Sequence, residues 1–449
     1  MLMMEIFDPV LRGPLFACTL MGVLSALIGL LLVFQSQSLK GEALSHACYP
    51  GMVVGAIAGS LIGFENSWYT AFVFLGALGS AYIGALAIEV LVHRYTVSAD
   101  GALSFILSFS FSLGLLFISS VQTVYPTLWR NLQSLLVGQA ATMSDRYVML
   151  SSILLVVVLI VAFVFRRQIV ATLFDKNFSH LQQLTTPALT RLCMALLVVT
   201  IIISIRSMGV VLMSSMLLFP AITARLLTDN FGRLTLLAAF IGGGGGASGV
   251  LASHYVAISS GDGGGGSLWL PTGPLICLML FVFFGIVLLF SPKEGIVVRS
   301  FRKARFLKRC FYENLLKILW KECAEHNLVS VSTKRIMELF PICAYRLKQA
   351  VRHLQRRGLV VVHHGNAIEL TDLGLLKGRT IVRLHRLWEL YLVEYCHMPQ
   401  ERVHPSAEEM EHILTPQIER KLTLLLHNPS MDPHNKPIPV AEEDLLFRA

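Results

Sequence analysis

The sequence predicts a mainly α-helical protein in two parts, a polytopic membrane portion of about nine spans followed by a charged, water-facing portion. Three observations predict it. Of 449 residues, 54% are hydrophobic and only 14% charged, a composition no ordinary water-soluble domain needs to bury its core. The charge is uneven: residues 1–299 hold 14 Lys/Arg and 11 Asp/Glu, while residues 300–449 hold 23 and 17. Nine stretches lack Asp, Glu, Lys and Arg altogether: 13–39, 43–64, 66–88, 101–129, 147–165, 192–205, 207–224, 234–261 and 263–292. About 20 apolar residues cross a bilayer as helix, because lipid offers the backbone no hydrogen-bond partner. The 192–205 stretch is short for a span unless it extends back to about Pro187.

The first apolar run is too long for a signal peptide and lacks a basic leader, so it reads as a retained helix. Basic residues set the orientation. With the N-terminus outside, the inner loops and the start of the tail hold Lys40, Arg94, Arg166, Arg167, Lys176, Arg191, Arg225, Arg233, Lys293 and Arg299. The outer segments then hold only Arg12, Arg130, Arg146 and Arg206. This puts the tail in the cytosol. The eight cysteines form no C-x-x-C pair, and the four in the tail suit a reducing compartment.

Two features of the membrane portion carry chemistry. In GEALSHACYPG (41–51), Glu42 and His46 stand i,i+4 and share a helix face. A carboxylate beside an imidazole suits a divalent transition metal, although a loop-end charge and a packed histidine would look the same. The stretch 174–184, FDKNFSHLQQL, with Phe174, Asp175 and His180, is amphipathic and suits docking on a cytosolic partner or a plain surface linker. These two segments, with MGVVLMSSMLLFPAITARLL (208–227) and LPTGPLI (270–276), resemble the signature segments of the zinc/manganese/iron ABC permease family, in that family's order over about residues 10–290. The resemblance implies a homodimeric or pseudo-dimeric pore with a second permease subunit. It also implies a separate cytosolic ATPase and an extracytoplasmic metal-binding protein. No G-x-x-x-x-G-K-[ST] phosphate loop occurs in the chain, which agrees with ATP being bound elsewhere. Glu42 stands where the family usually has Asp. The glycine runs 242–246 and 261–266 are unusual; the second is expected in an outer loop.

After Pro292 comes a basic segment with Arg302, Lys303, Arg305, Lys308 and Arg309, suited to anionic lipid or to DNA phosphates. The boundaries expected are a membrane domain over 1–292, a basic linker over 293–311, a winged helix-turn-helix over 312–372 and a helical domain over 373–449. Helices are expected over 312–325, over 332–340 behind the capping Ser332, and over 343–357 up to Gly358. The last is the expected recognition helix, with Tyr345, Arg346, Lys348, Gln349 and Arg352 on its polar face. LVVVHHGNAIELT (359–371) alternates across a Gly-Asn turn and reads as the wing. A protein-interaction module of the same shape would share this pattern.

Beyond it lies a constellation of metal-ligand types. His385 and Glu389 stand i,i+4 in IVRLHRLWELYL; His404, Glu408, Glu411 and His412 follow in HPSAEEMEHIL. Imidazole with carboxylate favours Fe²⁺, Mn²⁺ or Zn²⁺, against a solvated charged face as the alternative. With RLHRLWEL and LLHNPSMDPHNKPIP (425–439), this region resembles the iron- and manganese-dependent repressors of the diphtheria-toxin-repressor family over about 312–439. The resemblance implies a metal-binding and dimerisation domain that uses metal as corepressor on promoter DNA. By position, His385, Glu408, Glu411 and His412 match primary or binuclear ligands, and Glu389 and His404 an ancillary site. The first-helix ligand is expected at Asn314. The family's optional C-terminal SH3-like domain is not expected.

The combined expectation is a permease subunit, not itself an enzyme, in a bacterial inner membrane. It would import iron, manganese or zinc, and its repressor tail would sense the same class of metal, with proteolytic release near 295–311 freeing the tail to search DNA. The rivals are a membrane sensor that does not transport and a transporter whose tail gates the pore without binding DNA.

Overall fold

The computed structural model describes residues 9–35, 37–61, 66–122, 125–138, 140, 143, 145–174, 187–210, 212–261, 271–363 and 366–440. The chain divides into two compact units, residues 1–299 and 300–449.

In the first unit a helix falls on each of the nine charge-free stretches: α1 (Pro9–Phe34), α2 (Ser38–Leu61), α3 (Asn66–His93), α4 (Ala99–Gln122), α6 (Asp145–Val164), α8 (Pro187–Met208), α9 (Met213–Leu227), α10 (Phe231–Gly261) and α11 (Thr272–Phe290). The segment that looked short does reach back to Pro187. Two helices had no counterpart in the sequence reading, α5 (Pro126–Val137) and α7 (Arg166–Phe174). Seven of the nine are long and apolar enough to cross a membrane. The exceptions are α9, which is short, and α2, a less apolar helix that carries Lys40, Glu42, His46 and Pro50.

Helix α2 packs against α3 and α4, and α1 against α6, α9 and α10. Their shared core holds Met21, Leu24, Leu44, Tyr49, Ile201, Met213 and Leu217. Large apolar side chains such as Phe105, Phe163, Phe240 and Phe281 face outward, as a lipid-facing surface requires.

The glycine run 242–246 lies inside α10 and has a packing role. A Cβ on Gly242 would strike the Gly22 carbonyl, one on Gly22 the Gly242 carbonyl, and one on Gly246 the Cys18 carbonyl. Two glycines four apart thus let the α10 and α1 backbones touch, the small-residue contact by which membrane helices associate. Gly244 faces open space. The second run, 261–266, expected in an outer loop, lies outside the described residues apart from Gly261.

The second unit begins within a long helix, α12 (Ile296–His326). Residues expected as a linker are therefore helical, with 301–309 exposed. Strand β1 (Ser330–Ser332) leads to α13 (Thr333–Leu339), where Ser332 Oγ caps by accepting from the Arg335 N–H. Helix α14 (Ala344–Arg356) ends at Gly358, whose φ of +67° suits the left-handed stop. Strands β2 (Val360–His363) and β3 (Ala367–Leu370) form the hairpin, and β1 adds antiparallel to β3. Leu315, Leu319, Ile336, Leu347, Leu354 and Ile368 fill the core of this winged helix-turn-helix.

Helix α15 (Asp372–Glu394) opens at Thr371, whose Oγ1 accepts from the Gly374 N–H. Gly374 and Gly378 bring α15 against the Leu359 carbonyl and the Trp320 side chain, positions where a Cβ would collide. Helices α16 (Val403–Met410) and α17 (Pro416–Leu425) pack on α15.

Candidate metal centre

Helix α15 presents His385 and Glu389 one turn apart, and α16 opens with His404 facing them. His385 is 3% exposed and Glu389 2%, so their polar atoms must be satisfied by one another or by a ligand. His385 Nε2 lies 3.1 Å from Glu389 Oε1 and 3.1 Å from His404 Nδ1; His404 Nδ1 lies 2.9 Å from Glu389 Oε1. The three donors form a nearly equilateral triangle. A metal about 2.1 Å from three mutually perpendicular N/O donors would hold them about 3.0 Å apart. Two imidazoles and a carboxylate at this spacing fit one divalent transition metal.

Glu411, at the C-terminal end of α16, reaches His385 from behind: its Oε2 lies 2.5 Å from His385 Nδ1. A carboxylate on the far nitrogen fixes a ligating imidazole's orientation and raises its basicity. Burial alone would raise the Glu389 carboxyl, but the hydrogen bonds from His385 and His404 outweigh it and bring it down to about 2. Burial likewise disfavours a charged His385, and its bonds to Glu389 and Glu411 overcome this and raise it. Glu411, whose burial also works against the charge, is held low by His385 and Lys317.

Two further residues come from α12. Lys317 Nζ lies 2.7 and 3.0 Å from the two Glu411 oxygens, 3.2 Å from His385 Nδ1 and 4.0 Å from Glu408 Oε1. Glu313 Oε2 lies 2.7 Å from His412 Nδ1, and its other oxygen accepts from Arg309 Nε at 2.8 Å. Arg309 also donates to the His412 carbonyl at 3.1 Å. His412 Nε2 is buried with no hydrogen-bond partner, 3.6 Å from Glu411 Oε1. Glu408 is half exposed, its Oε1 3.5 Å from His404 Nε2.

Of the six residues named from spacing, His385, Glu389 and His404 form one ligand set, and it is the group that meets metal-site spacing among the described residues. Glu411 and Glu408 adjoin it, and His412 stands one step away. At the first-helix position, where Asn314 is the expected ligand, the described contacts from α12 to the cluster are those of Glu313 and Lys317. Glu313 and Lys317, which the sequence reading missed, and Arg309, named only for lipid or DNA phosphates, stand four apart on one face of α12, the one signal that could have found them.

In the wing unit, Tyr345, Arg346, Lys348, Gln349 and Arg352 are all exposed on α14, with Gln349 Nε2 donating to Tyr345 Oη at 2.9 Å. Leu347, Ala350, Val351 and Leu354 bury the opposite face. His353 stacks on Tyr312 at 4.3 Å, seating α14 on α12. In the membrane unit His46 is 6% exposed, edge-on to Phe111, and its Nδ1 has no hydrogen-bond partner; Glu42 is half-buried one turn earlier. Phe174 ends α7, while Asp175 and His180 lie outside the described residues.

Comparison with known proteins matches residues 8–291 to the family described as "ABC 3 transport family". Residues 371–440 match "Iron dependent repressor, metal binding and dimerisation domain". A "Probable metal transport system membrane protein" of Chlamydia trachomatis is 32% identical over 96% of both chains. The "Zinc transport system membrane protein TroC" of Treponema pallidum is 30% identical over 68% of this chain and 96% of its own. Among solved structures, "PsaBC from Streptococcus pneumoniae in complex with Fab" shares the membrane fold, with a TM-score of 0.54 and 21% identity over 64% of this chain and 94% of that one.

Proposed function

Because the chain belongs to the ABC 3 transport family and carries the metal-binding and dimerisation domain of an iron-dependent repressor, we propose that it is the permease subunit of a divalent-metal importer whose tail is a metal-dependent transcriptional repressor. The observation that carries the joint reading is the His385–Glu389–His404 triangle, an N/O donor set of metal-site dimensions on the same chain as the permease fold.

In this reading the membrane unit sits in a bacterial inner membrane with its N-terminus outside. The cargo is iron, manganese or zinc, a class supported by the relative named for zinc transport. Glu42 and His46 line the path. The buried His46 Nδ1 is a donor with no protein partner, as a transient metal ligand requires. A separate ATPase docks on the segment around Phe174, Asp175 and His180. An extracytoplasmic binding protein delivers the metal, and a second permease subunit completes the pore.

In the tail, bound metal would supply a Lewis-acidic cross-link between α15 and α16. His385 and Glu389 hold one side of that link and His404 the other, while Glu411 keeps His385 oriented. Glu313 and Arg309 tie α12 to the same segment, so order at the centre is passed to the helix on which the wing unit packs. The two-state element is the docking of α12, and metal shifts it by binding one arrangement more tightly. The DNA-competent form is a dimer that lays Tyr345, Arg346, Lys348, Gln349 and Arg352 on promoter DNA, and cleavage near 295–311 would release it from the membrane.

Metal uptake in cells that carry the partner ATPase tests transport: Glu42→Ala with His46→Ala should abolish uptake, and unchanged uptake would leave a sensor without transport. Binding of promoter DNA tests the tail; absence of DNA binding at every metal level would leave a pore regulator.

A further inference from the structure

We propose that Lys317 is a built-in cation: its ammonium fills the second cation position beside the His385–Glu389–His404 triangle, so the tail takes one divalent ion per protomer. This rests on the metal-sensing reading and deepens it. Six His and Glu side chains crowd here, enough donors for two ions. The geometry divides them unequally.

The first position has three donors 2.9–3.1 Å apart and no cation of the chain's own among them. The second would lie among Glu411, Glu408 and His412. There the Lys317 ammonium already holds both oxygens of Glu411 and approaches His385 Nδ1 and Glu408. The Lys317 side chain is 6% exposed and that of Glu411 0%, so this is a buried pair and not a surface lysine resting on an acid. A divalent ion bound to Glu411 would sit within about 5 Å of that ammonium, at a separation where like charges in a low-dielectric site repel.

Lys317 has little freedom to leave. The opposite face of α12, with the buried Leu315, Leu316 and Leu319, is packed into the wing unit's core, which fixes the backbone that carries Lys317. Its swing outward would require α12 to move. The charges agree with one ion. Glu389, Glu408 and Glu411 contribute three negative charges, which one divalent ion and one ammonium neutralise. His412 agrees as well: its Nδ1 is held by Glu313, yet its buried Nε2 faces Glu411 with no hydrogen-bond partner. It is the donor left over from a two-ion arrangement whose second cation is now a side chain.

The consequence is a simple response. Within one protomer, metal occupancy lacks the steepness that two coupled sites would give.

The test uses the detergent-solubilised full chain carrying Glu42→Ala and His46→Ala, so that the membrane unit adds no metal. Equilibrium dialysis against Mn²⁺, with bound metal counted by mass spectrometry, should give one equivalent, lost on His404→Ala. Lys317→Met should add a second equivalent, removed by His412→Ala. Two equivalents with Lys317 in place, or still one after Lys317→Met, would overturn the inference alone. None at all would overturn the metal-sensing reading together with it. Should Lys317→Met fail to fold, acetylation footprinting of the chain with Lys317 in place decides. Lys317 should stay protected when Mn²⁺ is added, and metal-induced labelling would mean that the ion displaces it.

Discussion

Glu313 Oε2 lies 2.7 Å from His412 Nδ1, so the helix that opens the tail is pinned to the segment just beyond the end of α16, the helix that carries His404. Arg309 doubles the link by bonding both Glu313 and the His412 carbonyl. Glu313→Ala removes a charged acceptor from a largely buried histidine, a loss of about 1–3 kcal/mol. Thermal unfolding of the metal-free protein should register it in the tail transition, and an unchanged transition would mean that the pin holds nothing.

Helix contact across Gly242 and Gly246 makes a second prediction. Gly242→Ala and Gly246→Ala each put a methyl into the backbone of α1 and should destabilise the membrane unit by about 1–3 kcal/mol. Gly244→Ala, facing open space, should be neutral or stabilising by up to about 1 kcal/mol through helix propensity. Melting temperatures of the three solubilised variants separate these outcomes; equal loss at all three would argue against a face-specific contact.

Much of this was legible in the sequence, for identifiable reasons. Lipid forces long uncharged helices, so nine stretches marked nine helices. His385 and Glu389 share a helix and are related by its 3.6-residue repeat. The opposing His404 could be named as a ligand type, but its place depends on α16 packing on α15, which no local spacing encodes. Lys317 was missed because its partners Glu411 and His385 lie on other elements, and by itself a lysine looks like any side chain that snorkels to water. Asn314 was named by its position in a motif; the contact Glu313 makes to His412 depends on the rotation of α12, about 100° per residue, which no motif position encodes. The packing role of the glycine run 242–246 was not legible because propensity counts the helix alone and not the helix it lies against.

The carboxylates of the centre predict a pH dependence for the metal-free tail. Glu389 is lowered to about 2, and Glu313 and Glu411 are also lowered, from an ordinary value of 4.5. For groups lowered by folding, the stabilisation is fully present above about 4.5 and is lost as pH falls toward 2. His385 is raised, so its contribution is complete below its ordinary 6.5 and fades as pH rises through the folded value. Chemical unfolding in chelator should therefore find the tail most stable between about 4.5 and 6.5. A flat profile across that acid limb would contradict the hydrogen bonds assigned to Glu389.

The exposed face of α14 predicts how DNA binding should respond to substitution. Arg346→Ala, Lys348→Ala and Arg352→Ala each remove one exposed cation. A residue that contacts phosphate should weaken binding to all sequences alike and reduce the log–log salt slope by about 1; one that reads a base should cost about 1–3 kcal/mol at one operator position. Salt titrations with operator and scrambled DNA distinguish the two, and no effect from any of the three would remove α14 from the interface.

The most direct test of a permease joined to a metal-dependent repressor is DNA binding by the full solubilised chain, with and without Fe²⁺ or Mn²⁺, in the unsubstituted protein and in His404→Ala. Metal should tighten binding to promoter DNA at least about tenfold, some 1.4 kcal/mol, and His404→Ala should erase that difference while leaving the exposed face of α14 unchanged. Binding that is absent at every metal level, or equally strong without metal, would contradict it.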